Sequence, residues 1–293
     1  MKISWLFSLL LAFNASCMTV SADQMLRTQT EYFSADGVVA AELETGAGSL
    51  TVNGIEGLDA IEVSAEFKCG SALFSDAQRI LDNLQLSMEV RGNTFYLKSD
   101  QLRDWSWGNS GWIDISINMP KRIDLEVNDG SGSTFISGMG RNIRIKDGSG
   151  KIELTNTDGS IYIDDGSGEI RIRNAEGDID INDGSGSIDL RYLGGSAQIH
   201  DGSGSIDVDD VRGDLIIRED GSGSIRAQNI QRDVEINDGS GSIDVQHVGG
   251  SVQIRDGSGS ISVADVGGDL SIPSGGSGSI HYSDITGKVS VPE

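Results

Sequence analysis

The stretch Asp201–Asp220, "DGSGSIDVDDVRGDLIIRED", holds one full unit of the repeat that decides the fold. Its opening letters, Asp-Gly-Ser-Gly, return every 18 or 19 residues, and a fixed period of this size is typical of a solenoid. We number each unit from its Asp as position 1. The motif begins at eight aspartates, and a ninth unit begins at Gly275: Asp129, Asp147, Asp165, Asp183, Asp201, Asp220, Asp238 and Asp256.

Apolar residues fall at positions 6, 8, 11, 15 and 17 of the unit. Positions 6 and 8, and again 15 and 17, show the period-2 alternation of a strand with one buried face, and neither stretch has the 3.6 period of a helix. Stacking equivalent strands about 4.8 Å apart places like residues on like. The sequence therefore predicts a mainly β fold, a single-chain parallel β-solenoid of 18-residue coils, with a right-handed coil favoured by the chirality of parallel crossovers.

The region before the regular repeats predicts a cap. Residues 44–67 look like a degenerate coil. Residues 75–85 predict the one short helix, with Ser75 and Gln78 as a capping box. The stretch "LSMEVRGNTFYLKS" predicts a hairpin around Gly92. We expect a cap region over 23–122 and a regular solenoid of nine repeats over 123–293. A helix over the first coil would cover its strand edge. The C-terminal end has no such cap, which allows end-to-end self-association.

The first 22 residues have the layout of a secretory signal peptide. A charged start at Lys2 precedes the short apolar run "ISWLFSLLLAF" and a small-residue site ending at Ala22. We therefore expect export, to the periplasm or to the outside of the cell and its surface. Cys17 offers an alternative, a lipoprotein site, although Asn14 stands where that site needs an aliphatic residue. No later segment approaches the roughly 20 apolar residues of a membrane span.

The net charge and the cysteines restrict the possible partners of the protein and the interactions that stabilise it. The formal net charge of −23 repels nucleic acid and anionic lipid, so we expect no nucleic-acid partner. Cleavage after Ala22 leaves Cys69 as the one thiol, so the exported chain has no internal disulfide and depends on packing and hydrogen bonds.

Several segments together resemble a known family. The repeated "GSGSI" strands, the opening "GAGSLTV", the helix insert and "INMPKRIDLEVNDGSG" are similar to the bacterial putative-adhesin family of β-strand-repeat proteins, a domain family of unknown function, over about residues 35–293. The resemblance implies an exported, non-enzymatic β-solenoid, and it offers no catalytic residues to transfer. It implies an adhesin-like binding or surface-structural protein whose partner is an unknown glycan or protein.

The column of eight aspartates is the most specific candidate site. One interpretation is that each carboxylate accepts hydrogen bonds from the amides of its own Gly-Ser-Gly and fixes the turn. The alternative is a calcium ladder that stiffens the solenoid, with calcium as the only cofactor. Calcium-binding nonapeptide repeats, however, place their aspartate where this chain has Ile188 or Ile206.

A second candidate site is aromatic. Trp105, Trp107 and Trp112 lie within "RDWSWGNSGW" and predict either cap packing or a patch that contacts a ligand or partner. Varied outer residues at positions 7, 9, 10 and 16 are further candidates for recognition.

Catalysis is not expected. The three histidines, His200, His247 and His281, occupy different columns, so they form neither a metal cluster nor a triad. A carbohydrate-active β-helix enzyme stays the alternative, because parallel β-helices do host such enzymes.

Overall fold

The computed structural model describes residues 15–21, 24–70, 74–100 and 111–292. About 71% of it is β-strand, and each repeat unit contributes one longer and one shorter strand. The longer strands form what we call the long-strand stack, and all but the last begin at position 4. They are β10 (Gly150–Thr157), β12 (Gly168–Ala175), β14 (Gly186–Leu193), β16 (Gly204–Val211), β18 (Gly223–Ile230), β20 (Gly241–Val248), β22 (Gly259–Val266) and β24 (Ile280–Ile285).

The shorter strands end at or near the next position 1 and form the short-strand stack. Its members are β9 (Ile143–Asp147), β11 (Ile161–Asp165), β13 (Ile179–Asp183), β15 (Ala197–Asp201), β17 (Leu215–Asp220), β19 (Val234–Asp238), β21 (Val252–Asp256), β23 (Leu270–Gly275) and β25 (Val289–Ser290).

Both stacks are parallel and in register, so the predicted β-solenoid is confirmed. Ile206 pairs with Ile188 on one side and with Ile225 on the other, and Asp201 pairs with Asp183. In the two 19-residue units the extra residue is taken up as a register shift in the short strand, at β17 and β23, so the long-strand stack continues undisturbed. The hand of the coil stays a prediction.

The core consists of inward-facing columns of like residues. Position 6 supplies a column of isoleucines after Thr134 of the first unit, and positions 8, 11, 15 and 17 supply mostly aliphatic residues, almost all of them fully buried. Each side chain is covered by its equivalents in the coils above and below, so a single unit would leave both sides of its core open to water. Stability therefore belongs to the stack, as in other repeat proteins.

The glycine at position 4 explains why the motif does not vary. Gly204 has φ of +149°, and a Cβ placed there would lie 1.6 Å from the carbonyl oxygen of Gly186 in the preceding coil. At the eight position-4 glycines from Gly132 to Gly259, the corresponding distances run from 1.5 to 2.0 Å. Successive bends thus approach too closely for any side chain, and only glycine fits.

The residues before the regular repeats build the first coils and an antiparallel end. The elements are β1 (Ala15–Ser21), β2 (Gln24–Ser34), β3 (Ala40–Ile55), β4 (Ala60–Cys69), α1 (Phe74–Asn83), β5 (Gln85–Arg91), β6 (Thr94–Asp100), β7 (Gly111–Pro120) and β8 (Asp124–Ser137).

Strand β3 is a full coil of the solenoid, although it lies far from β8 in sequence. It pairs in parallel with β8, from Ala40 with Asp124 to Asn53 with Ser137, and continues both stacks. On its other side it pairs in parallel with β6 and β7. The expected degenerate coil at 44–67 is therefore only half right, because β4 turns back and runs antiparallel to β2 and β7. The division of the chain at residue 123 stays a prediction, and the stacking is continuous across it.

The predicted hairpin and helix are both confirmed. β5 and β6 pair antiparallel around Gly92, and α1 (Phe74–Asn83) begins one residue before the expected segment and ends two residues before its end. The side chain of Ser75, the expected cap, lies outside the described residues. The helix does not cover a strand edge as expected. It packs against β2 and β4, with Ala77 and Leu81 buried. Antiparallel strands extend the N-terminal end of the stacks, with β5 beside β6 and with β4, β2 and β1 following β7.

The two ends of the solenoid differ. At the C-terminal end, among the residues described, β24 pairs only with β22 and β25 only with β23, so each strand has an open edge. Tyr282, in the inward column at position 8, is consequently 47% exposed. None of the described helices is long and apolar enough to cross a membrane.

Candidate functional site: a polar groove and a buried aspartate column

The eight repeat aspartates point into the solenoid. Alternation along the short strand places positions 15, 17 and the next position 1 on the same inward face, as in Ile143, Ile145 and Asp147. All eight side chains are at most 7% exposed. Sequence reasoning missed this orientation, although carrying the period-2 pattern one step beyond position 17 reaches the aspartate.

One oxygen of each carboxylate fixes the bend, as predicted. Asp201 Oδ1 accepts a hydrogen bond from the Ser203 amide at 3.1 Å, and the same bond recurs in the other units from Asp147 to Asp256. At the first aspartate the donors differ, because Asp129 Oδ1 accepts from the Gly130 amide and from the Thr45 hydroxyl. The Oδ2 atom of all eight aspartates is buried and has no hydrogen-bond partner.

Burial and mutual repulsion act on this column. Burial, followed by the charges of Asp129 and Asp165, raises the pKa of Asp147 to about 7. Burial and neighbouring column members raise the pKa of Asp183 and of Asp220 to about 6. Two charges one coil apart, about 4.8 Å, repel by roughly 3.5 kcal/mol at an effective dielectric of 20. A fully ionised column would therefore oppose folding.

Calcium binding by the column stays a prediction. In the described parts of the chain, no group of three or more acidic, histidine or cysteine side chains is placed to hold a metal ion. Calcium takes six to eight oxygen ligands, whereas each aspartate meets other carboxyls only above and below itself in single file.

A second polar column, at position 14, ties successive coils together at the opposite corner. Its side chains accept hydrogen bonds from the position-14 amide of the next coil, for example Asp178 Oδ1 from the Ser196 amide at 2.9 Å. The pattern was not recognised from sequence, yet the column contains only Asp, Asn and Ser between residues 124 and 269: Asp124, Asn142, Ser160, Asp178, Ser196, Asp214, Asp233, Ser251 and Asp269.

Position 10, predicted as a recognition column, has a backbone role. In the eight units from Asp147 onward this residue has φ between 55° and 61°, the left-handed region that Asn and Asp tolerate best, and the first unit has Gly138 there with φ of 71°. The column is accordingly rich in those residues: Asn156, Asn174, Tyr192, Asp210, Asn229, His247, Asp265 and Asp284.

Positions 7 and 9 carry ion pairs between coils on the outside of the long-strand stack. Arg191 lies 2.9 Å from Asp189 in its own strand and 3.1 Å from Asp207 in the next, and Arg173 pairs with Asp189. These half-exposed charges satisfy one another, so this face offers few free groups for a ligand.

Position 16 lines a long concave surface. A groove of about 770 Å³ follows the outside of the short-strand stack from β3 to β17. Its two walls are the side chains of positions 14 and 16, and its floor is the strand backbone at position 15, whose side chains point inward. Six coil steps of 4.8 Å give it a length of about 29 Å.

The groove combines an aromatic ring with polar and acidic side chains. The Arg144 guanidinium carbon lies 4.4 Å from the centre of the Tyr162 ring, so the two side chains form a stacked pair. Five carboxylates and only one cation line the groove, which makes it acidic. The carboxylates are those of Glu42, Asp124, Glu126, Asp178 and Asp180, and the cation is Arg144. Amides and hydroxyls are supplied by Asn142, Ser160, Ser196 and Gln198.

One wall is already fixed before any ligand binds. Asp124 Oδ1 accepts from the Asn142 amide at 3.1 Å, and Asn142 Oδ1 accepts from the Ser160 amide at 3.2 Å. A binding surface held in place by the backbone loses little entropy when a ligand binds.

The other sequence candidates do not join this groove. Trp105 and Trp107 lie outside the described residues, and Trp112 is half-buried in β7, beside Lys68 of β4. The histidines stay apart, with His200 3.7 Å from Glu219 and His247 3.8 Å from Asp265.

Among known proteins, the chain has remote structural neighbours. No protein-family model and no curated protein matches the chain. Its structural neighbours include a putative cell adhesion protein from Clostridium sporogenes (13% identity, TM-score 0.30, 90% of this chain and 99% of that one). A putative lipid binding protein from Parabacteroides distasonis (16%, 0.32, 89% and 96%) and a putative adhesin from Bacteroides fragilis (13%, 0.28, 87% and 97%) also match. At such low identity and TM-scores, these names describe those proteins and carry no conclusion about this one.

Proposed function

We propose that the protein is a non-enzymatic binding protein that holds a neutral or cationic, hydroxyl-rich chain, such as a glycan, along the groove of the short-strand stack. The carrying observation is the groove itself, because a long concave surface with convergent polar groups and an aromatic ring is the usual form of a ligand site. Its length suits an extended chain more than a compact molecule.

The chemistry of the lining supports this ligand class. The Tyr162–Arg144 pair offers a flat apolar surface beside N–H donors, and the surrounding carboxylates and amides accept hydrogen bonds from hydroxyl groups. The acidic groove, in a chain of net charge −23, disfavours anionic ligands.

A peptide strand is less suited to this surface. The floor strands β8, β9, β11, β13 and β15 pair on both sides, so their backbone groups have no free edge to which a β-strand could be added. Recognition must come from side chains.

Export and self-association belong to the same proposal. A signal peptide over residues 1–22 would bring the protein to the periplasm or the cell surface, where such ligands occur. Ala15–Ser21 pairs with β2 in the full chain, so cleavage would open that edge. End-to-end contact through β24 and β25 would join two solenoids at their open edges.

The test is binding of the mature protein to neutral, amino-sugar and uronic-acid oligosaccharides, with product analysis of each mixture. We expect binding without turnover to a neutral or amino-sugar chain and none to the uronic acids. Losing the contact of a buried ring, about 1.4 kcal/mol, should weaken binding about tenfold in Tyr162→Ala.

Tyr192→Ala is the matched control, because Tyr192 is an exposed tyrosine outside the groove. If the Tyr162→Ala variant binds as tightly as the unmodified protein, or if both variants lose the same affinity, the groove is not the binding site. Formation of shortened products would point instead to a carbohydrate-active enzyme.

A further inference from the structure

The buried aspartate column presents a problem of charge that the bends alone do not solve. Each carboxylate needs only Oδ1 to hold the amide of its bend, and each Oδ2 is buried without a partner. An ionised oxygen left in this state is among the costliest groups in a protein interior.

Few other charges are available to compensate the column. The titratable groups that act on it are its own members in the coils above and below, together with Asp164 beside Asp165 and His200 beside Asp201. At the first member, the hydroxyls of Thr45 and Thr134 also contribute. Apart from Thr157, the other buried residues of the regular coils are apolar.

We propose that the column is a proton-binding ladder, in which neighbouring aspartates share protons through their Oδ2 atoms. In each pair one carboxyl keeps its proton and donates an O–H hydrogen bond to the carboxylate of the adjacent coil. Eight carboxyls form four adjacent pairs, so the folded protein holds up to four protons that the unfolded chain does not. This inference is independent of the ligand proposed for the groove.

The geometry of the column suits protons better than metal ions. A proton needs one donor oxygen and one acceptor oxygen, which two successive aspartates supply, whereas a metal ion needs more ligands than single file offers. The pattern also accounts for the uniformity of position 1. A shared proton requires a carboxyl on both sides, which serine does not provide.

The direction of the pH dependence follows from linkage. The folded-state pKa of each column aspartate is raised above its ordinary value, mainly by burial. The stabilisation from bound protons is therefore fully present below about pH 4 and is lost as the pH rises through the folded pKa values, which reach about 7 at Asp147.

The first experiment replaces every second aspartate, Asp147, Asp183, Asp220 and Asp256, by Asn. Each Asn keeps an oxygen for the bend amide and places an N–H donor where the shared proton lies. We expect this variant to melt at or above the temperature of the unmodified protein at about pH 8, and its melting temperature to lose most of its dependence on pH between about 5 and 8.

Two further measurements distinguish a proton ladder from a structural role. Unfolding at about pH 6 should release up to four more protons from the unmodified protein than from the variant, measured by calorimetry in buffers of different ionisation enthalpy. Infrared spectra at about pH 6 should show a protonated-carboxyl band in the unmodified protein that labelling of aspartate shifts and the variant lacks.

Single variants keep the test decisive if the fourfold variant does not fold. Asp201→Asn should reduce the proton release, whereas Asp180→Asn, an exposed aspartate outside the column, should leave it unchanged. The proposal is overturned if no protonated carboxyl exists at about pH 6. A metal cation such as calcium is the competing explanation. The proposal is equally overturned if the melting temperature of the unmodified protein responds to calcium or another metal cation and not to pH, while that of the variant responds to neither.

Discussion

Replacing Gly204 by alanine tests the physical reason for the repeat motif. The new methyl carbon would lie 1.6 Å from the Gly186 carbonyl oxygen, and the backbone there has φ of +149°. Because the obstacle is backbone, no rotamer change can relieve it. The two coils must separate, which lengthens the 2.9 Å hydrogen bond from the Gly186 amide to the Ser203 carbonyl oxygen and disturbs its neighbours.

The expected cost follows from these contacts. A non-glycine residue in this backbone region costs about 1–3 kcal/mol. Losing two or three ladder hydrogen bonds adds about 1 kcal/mol each. The total of about 3–6 kcal/mol corresponds to a fall in melting temperature of roughly 6–24 °C for a chain of this size.

Thermal unfolding followed by circular dichroism measures this fall, and amide hydrogen exchange shows whether protection is lost first around β14 and β16. Ser205→Ala is the control, since Ser205 lies in the same bend with an exposed side chain, and it should change the melting temperature by no more than about 2 °C. If Gly204→Ala melts like the control, close approach of successive bends does not explain the motif.

Two further substitutions test the corner columns. Asp214→Ala removes the acceptor of the hydrogen bond from the Asp233 amide (3.1 Å) and should destabilise the folded protein by about 1 kcal/mol. Asp214→Ser introduces a residue that the column already uses and should cost less. Equal melting temperatures of the two variants would mean that this hydrogen bond does not contribute to stability. Tyr192 is exposed and has a left-handed backbone conformation, which Asn tolerates better than Tyr, so Tyr192→Asn should raise the melting temperature by about 2–4 °C. Tyr162→Asn, in an ordinary strand, should give no such increase. A lower melting temperature for Tyr192→Asn would contradict this reasoning.

The regular coils were predictable because their signals are local and repeated. Alternation at Ile206 and Val208 marks a strand with one buried face, and the glycines mark the bends, so each of nine units gives the same evidence. The inward direction of Asp201 was in the same pattern but was overlooked, because an acidic residue beside glycine suggests a surface turn. The hydrogen bonds of position 14 needed a comparison down a column instead of along the chain.

The N-terminal arrangement and the groove could not be obtained in this way. Ala40 and Asp124 are paired across 84 residues, and nothing local in "GAGSLTV" indicates that β3 stacks between β6 and β8. The groove arises from stacking different residues, such as Glu126, Arg144 and Tyr162, along one column. Its shape and charge exist only once the register between coils is known.

Cross-linking across neighbouring coils tests the parallel register on which all of this depends. In the double variant Ser187→Cys, Ser205→Cys, the two residues are directly paired, with Cα atoms about 4.8 Å apart, within the range that a disulfide spans. In the control Ser187→Cys, Asp207→Cys, the second cysteine is moved two residues along the same strand. Its Cα atom then lies about 8 Å from that of residue 187, beyond the range of a disulfide. Rapid disulfide formation in the first variant and none in the second is the predicted result, and the reverse would contradict the stacked β-solenoid.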